Sequence, residues 1–125
     1  MSRDNETKQV KVDITFEQFN DVIVTALEGG SNYWYLIHDE HIPTGVWGSR
    51  IDRVVEKLWD DPEYVLPIYD VEDESELLGE LTMQKFLDNI GKHESAFADL
   101  LNDNLDGYSA DMLFQMAVMG EVVYG

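Results

Sequence analysis

The sequence predicts an α+β fold: a mainly helical single domain of four to five helices with a small two- to three-stranded antiparallel sheet. Three observations predict it. Apolar residues recur at spacings of three and four in several separate stretches, the period of amphipathic helices. Shorter stretches either alternate apolar and polar residues or run through β-branched and aromatic residues bounded by turn formers, the pattern of strands. Hydrophobic residues make up 44% of the 125, with 3 Trp, 6 Tyr and 5 Phe, which is enough to fill a core despite a net charge of −18. A chain of this length buries somewhat under ~70% of its surface on folding. So small a sheet cannot stand alone, and helices must cover one of its faces.

The elements follow in order. Residues 1–8 are polar and read as a flexible N-terminus, with the domain running over 9–125. Val10, Val12 and Ile14 alternate with Lys11 and Asp13, a half-buried strand. Thr15 and Gln18 form a capping box for a helix whose stripe is Phe16, Phe19, Val22, Ile23 and Ala26. Gly29 and Gly30 end it as a C-cap. The run Ser31, Asn32, Tyr33, Trp34, Tyr35, Leu36, Ile37 fits either a short helix capped by Ser31 or a buried strand, since periodicity cannot separate the two over so few residues. Residues 38–48 are loop-like, with Pro43, Gly45 and Gly48. Ser49 caps a helix striped by Ile51, Val54, Val55 and Leu58, and Pro62 stops it. Residues 64–71 read as a strand, and Pro67 makes it an edge strand or a bulged one. An acidic linker, 72–76, follows. Thr82 caps the next helix, with Leu81 and Phe86 spaced as a hydrophobic staple. Its stripe is Met83, Phe86, Leu87 and Ile90, and Gly91 closes it. Phe97, Leu100 and Leu101 mark a short helix. A last helix starts at Ser109, runs through Met112, Leu113, Met116, Ala117 and Met119, and is capped by Gly120. Residues 121–125 read as a final strand.

Charge weighs against several functions. Direct nucleic-acid binding needs cationic surface to replace phosphate counterions, so a pI near 4.1 argues against it and disfavours adhesion to anionic membranes for the same reason. No cysteine means no disulfide framework, no thiol catalysis and no Cys-based zinc site. The N-terminal residues lack a secretory pattern, and no apolar run approaches the roughly 20 residues of a membrane span.

Catalytic and metal patterns are thin. His38, Asp39, Glu40 and His41 place two imidazoles three apart with Glu40 between them, a conceivable metal set. Metalloprotease spacing needs the histidines four apart, however, and the flanking Pro and Gly favour a polar loop. Asn102, Asp103, Asn104, Asp106 and Gly107 resemble the first half of a calcium loop, but the bidentate carboxylate position falls on Leu113, so a turn before a helix is expected. The serines could find a base only in His38, His41 or His93. There is no nucleophile elbow and no phosphate-cradling glycine motif. The chain is read as a non-enzyme, without cofactor or metal.

The charge distribution is the strongest signal. From Leu58 to Gln84 there is no Lys or Arg, while Asp60, Asp61, Glu63, Asp70, Glu72, Asp73, Glu74, Glu76 and Glu80 all fall there. From His93 onward there is again no Lys or Arg, with six further acids. Such a surface either keeps a small protein soluble or imitates a polyphosphate before a cationic groove. Tyr33, Trp34, Tyr35 and Trp47 are the candidate anchors. Three adjacent aromatics cannot all enter one core; the alternative is that Trp34 anchors the core and the tyrosines straddle its rim.

Three segments resemble a group of small acidic proteins encoded by bacteriophages and prophages. They are Val24, Thr25, Ala26, Leu27, Glu28, Gly29, Gly30, Ser31, Asn32, Tyr33, Trp34; then Leu81, Thr82; then Gly120, Glu121, Val122, Val123, Tyr124, Gly125. The resemblance implies a mobile-element origin and a bacterial cytoplasmic setting. By analogy with small phage proteins that block host defences, it implies an inhibitor of a host nucleic-acid-handling protein, of the anti-CRISPR or anti-restriction type. The expected partner is a basic nucleic-acid-binding host protein, and a homodimer is compatible with the sequence. The alternative is a self-associating structural or assembly module of a phage, whose acidity serves solubility alone.

Overall fold

The computed structural model describes residues 3–9 and 11–125. Among them are five α-helices and a three-stranded antiparallel sheet, the α+β class the sequence predicts.

Helix α1 spans Phe16–Thr25 and begins as expected: Thr15 Oγ1 accepts from Gln18 N–H, and Gln18 Oε1 accepts from Thr15 N–H. It does not stop at a left-handed glycine. The chain tightens into a π-helical turn, Ala26–Gly30, and neither Gly29 nor Gly30 has positive φ. Gly30 is needed for a different reason. A Cβ there would lie 2.6 Å from the carbonyl oxygen of Gly107, so only glycine lets the two backbones approach.

The ambiguous aromatic run is neither a helix nor one strand: residues 31–34 form a turn and only Tyr35–Leu36 is strand, β1. A 3₁₀ turn, Asp39–His41, and a loop lead to α2, Arg50–Asp60, with a Ser49–Asp52 capping box. Strand β2 is Leu66–Asp70 and β3 is Leu77–Leu81, in the order β1-β2-β3. Pro67 therefore does not make β2 an edge strand. It lies where β2 has one neighbour, opposite Glu80 on β3; β1 pairs only with Tyr69 and Asp70. The bulge alternative is met by a register shift at Ile68/Tyr69. The residues expected to be a linker, 72–76, are the tip of the β2–β3 hairpin.

Helix α3 is Met83–Asn89, capped by Thr82, with Leu81 and Phe86 both buried as the staple requires. It runs on into a 3₁₀ turn, Ile90–Lys92, so Gly91 is no left-handed cap. Helix α4 is Glu94–Leu101, and α5 is Gly107–Met119, capped by Asp106 two residues before the expected start. Every residue of α5 from Ser109 to Val118 is buried. A helix enclosed all round is a core helix, and α1, α3, α4 and β3 all pack on it. Gly120 ends it with φ +77, as the sequence implies.

Two expected strands do not form. Residues 11–14 are irregular, and Val10 lies outside the described residues. Residues 121–125 are extended but join no ladder. Among the described residues no helix is long and apolar enough to cross a membrane.

Candidate partner-binding surface

Trp34 organises the surface from beneath. It is 1% exposed and stacks on Tyr124, with ring centroids 5.4 Å apart and planes 13° from parallel. Its carbonyl accepts from Val71 N–H at 3.0 Å, which ties the β2–β3 hairpin tip to β1. Trp34 is thus a core residue, and its place among the surface anchors is corrected: the ring is consumed by packing worth about 2–3 kcal/mol of apolar burial.

The cause of that burial is Asp111, which sequence reasoning missed. Its Oδ1 accepts from Ser31 Oγ at 2.7 Å and from Trp34 Nε1 at 2.8 Å. Its Oδ2 accepts from the Tyr33 hydroxyl at 2.5 Å and from Gln115 Nε2 at 3.2 Å. Gln115, itself fully buried, reads the C-terminal tail. Its Oε1 accepts from the N–H groups of Val123 and Tyr124, and its Nε2 donates to the Tyr124 carbonyl at 3.0 Å. Residues 31–34 and 123–124 therefore meet on one polar pair inside α5. No buried side-chain nitrogen or oxygen among the described residues lacks a partner.

Each remaining anchor has a definite place. Tyr33 is 50% exposed, with its ring outward and its hydroxyl turned in to Asp111. Burial, then the hydrogen bond and negative charge of Asp111, push its phenol up to about 12. Tyr35 is only half-buried, and its hydroxyl donates to the Leu27 carbonyl, so it too is spent inward and offers little as an anchor. Trp47 is exposed in the 43–48 loop, which Arg53 holds by donating to the carbonyls of Pro43 and Gly48. Tyr108, 68% exposed and close enough to act electrostatically on Tyr33, is an anchor the sequence reading left out.

The predicted acidic face is two clusters rather than one. Asp60 ends α2, and Asp61 and Glu63 follow it in the turn before β2; Asp70 ends β2, with Glu72, Asp73, Glu74 and Glu76 in the hairpin turn beyond it. The five residues of β2 hold them roughly 17 Å apart. Glu80 stands alone on β3 opposite Pro67. The first cluster is partly neutralised: Lys57 Nζ is 3.1 Å from Asp61. The Glu63 N–H and Lys57 together hold the Asp61 carboxyl below its usual range.

The hairpin cluster has no such cation. Asp70 accepts from Glu72 N–H and Asp73 from Ser75 N–H and Oγ, so these two carboxylates also build the turn. The Ser75 bonds hold Asp73 below the usual range. None of Asp70, Glu72, Asp73, Glu74 and Glu76 has an ion-pair partner among the described residues. The field of Asp70, Glu76 and Glu72 reaches the Tyr124 phenol and, after burial, raises it. Val71 and Tyr124 therefore stand against Trp34 beside an uncompensated run of carboxylates.

Each histidine has a local contact. His38 Nε2 lies 2.8 Å from the Glu74 carbonyl and its ring packs on Tyr69 at 4.3 Å, while His41 lies 3.6 Å from Glu40. Nδ1 of His93 caps α4 by accepting from Ala96 N–H. No group of three or more His, Asp or Glu among the described residues is placed to hold a metal. Asn102 is the C-cap of α4, Asp103 is left-handed with φ +60, and Asp106 caps α5, so the calcium-like run is a helix–turn–helix connection. Comparisons with family models, curated proteins and solved structures found no match.

Proposed function

We propose that the protein is a non-enzymatic binding protein whose hairpin tip docks on a basic surface of a nucleic-acid-handling host protein. The resemblance noted in the sequence suggests a phage accessory factor of the anti-CRISPR or anti-restriction type, acting in a bacterial cytoplasm. One observation carries the reading. Five carboxylates at residues 70–76, without ion-pair partners among the described residues, stand close enough to the half-buried Tyr124 to act on its phenol, on a backbone tied to Trp34 and β1. Rigidly held charge with an aromatic neighbour is what a cationic groove selects, and long-range attraction would make association fast and salt-sensitive. The cluster at Asp60, Asp61 and Glu63, with Trp47, is the weaker contact because Lys57 and Arg53 lie within it.

A tagged pull-down from bacterial lysate, washed across a salt gradient, tests this. A nucleic-acid-binding protein should elute at moderate salt. The variant Asp70→Lys/Glu72→Lys/Glu74→Lys should lose it while keeping its circular dichroism. Retention by that variant would refute the mimicry.

The competing reading is self-association with acidity serving solubility. It draws on the apolar groove between residues 12–14, Trp59, Met83, Leu87 and Phe97. Sedimentation over a concentration range separates the two, because only self-association predicts a salt-insensitive oligomer without host protein.

A further inference from the structure

We infer that the outer edge of β1 is a strand-addition site for an extended, basic peptide segment bearing an aliphatic residue. The site is separate from the hairpin tip and does not depend on the proposed function. In the β1–β2 ladder, Val71 N–H donates to the Trp34 carbonyl, and Tyr35 and Leu36 face Asp70 and Tyr69. Hydrogen-bonded and non-hydrogen-bonded pairs alternate in an antiparallel ladder, so Leu36 exchanges bonds with Tyr69. The main-chain N–H and C=O of Tyr35 then point away from β2. Among the described residues no group outside the sheet pairs with either.

A groove of about 650 Å³ lies along this edge. Tyr35, Leu36 and Ile37 all line it. Tyr35 and Leu36 point to opposite faces of the sheet, so a cavity that both line reaches the edge of β1. Its far wall is apolar: Ile42, Ile51 and Val54. This is the arrangement strand addition needs, with main-chain partners for affinity and a pocket for alternate side chains.

Charge selects the occupant. Glu28 lines the groove and has no ion-pair partner, whereas Arg50 is already paired with Asp39. A second copy would bring another −18 against the first, which disfavours self-pairing. A partner strand with Val or Ile in the pocket and Lys or Arg facing Glu28 satisfies both features.

The test is an NMR titration of the full ¹⁵N-labelled chain with a short, end-blocked peptide of alternating lysine and valine. Expected are shifts at the amides of Tyr35, Leu36 and Ile37, and slowed hydrogen exchange at Tyr35. N-methylation of alternate peptide amides, which removes main-chain donors but keeps the charge, should weaken binding at least about tenfold. Ile51→Asp should weaken it comparably, whereas Asp70→Lys/Glu72→Lys/Glu74→Lys should leave the Tyr35 shifts in place, which separates this site from the hairpin. Four outcomes would overturn the inference: no binding; equal binding of the N-methylated peptide; shifts confined to residues 70–76; or concentration-dependent shifts at Tyr35 without peptide, which would assign the edge to a second copy.

Discussion

Asp111 sits in a helix otherwise lined with Met112, Leu113, Phe114 and Met116, and four donors converge on it. A buried carboxylate is tolerated when it is this fully hydrogen-bonded, and removing it leaves Ser31, Trp34 and Tyr33 as buried or half-buried donors without an acceptor. Asp111→Leu should cost about 3–4 kcal/mol in urea unfolding, and Asp111→Asn distinctly less, since the amide oxygen still accepts. The same carboxylate helps keep Tyr33 protonated. The folded phenol, at about 12, lies above its ordinary value of 10.0, so its contribution to stability is complete below pH 10 and lost as pH rises through 12. Tyr64, pushed up to about 12 by burial, acts in the same window. Ultraviolet titration of tyrosinate should show late-ionising groups, and Asp111→Asn should move the Tyr33 transition toward 10. An Asp and a Gln four apart inside an apolar helix were legible as an anomaly. What they bind was not, because every partner lies at least eight residues away in sequence.

At the scale of elements, capping chemistry was read correctly at three helices and missed at two, where Asp106 and His93 are the caps. Thr15, Ser49 and Thr82 all cap the helices assigned to them. Glycine was misread where its role is contact. Gly30 permits the approach of α5, so Gly30→Ala should destabilise by about 2 kcal/mol through overpacking against a backbone that cannot rotate away. Strand β3 escaped notice because Leu77, Leu78, Gly79, Glu80 and Leu81 neither alternate cleanly nor carry β-branched residues. Pairing with β2 and packing on α5 make it a strand. The tail fails as a strand because its N–H groups at 123 and 124 go to a side chain, Gln115. Gln115→Leu should therefore abolish hydrogen-exchange protection at Val123 and Tyr124 while sparing the amides of β2 and β3.

For the whole molecule, a net charge of −18 opposes compaction at every carboxylate that lacks a partner. Raising ionic strength shortens the screening length from roughly 30 Å at 0.01 M to 8 Å at 0.15 M, so thermal stability should rise over that range. The Asp70→Lys/Glu72→Lys/Glu74→Lys variant moves the net charge from −18 to −12 and should gain less from salt than the parent. A parent whose melting temperature is indifferent to salt would mean that the acids are too dispersed to repel.

The α+β class, the caps at Thr15, Ser49, Thr82 and Gly120, the helical core stripes and the acidic bias between residues 58 and 84 were determined by the sequence itself. Each depends on neighbours within a turn or two, or on composition alone. The assignment of Trp34 to the core, of 31–34 to a turn and 35–36 to a strand, of the acids to two ends of β2 and of Gly30 to a helix contact was decided only by tertiary structure. These turn on residues up to 80 positions apart, such as Ser31 and Asp111, and no local period encodes which distant groups a folded chain brings within 3 Å.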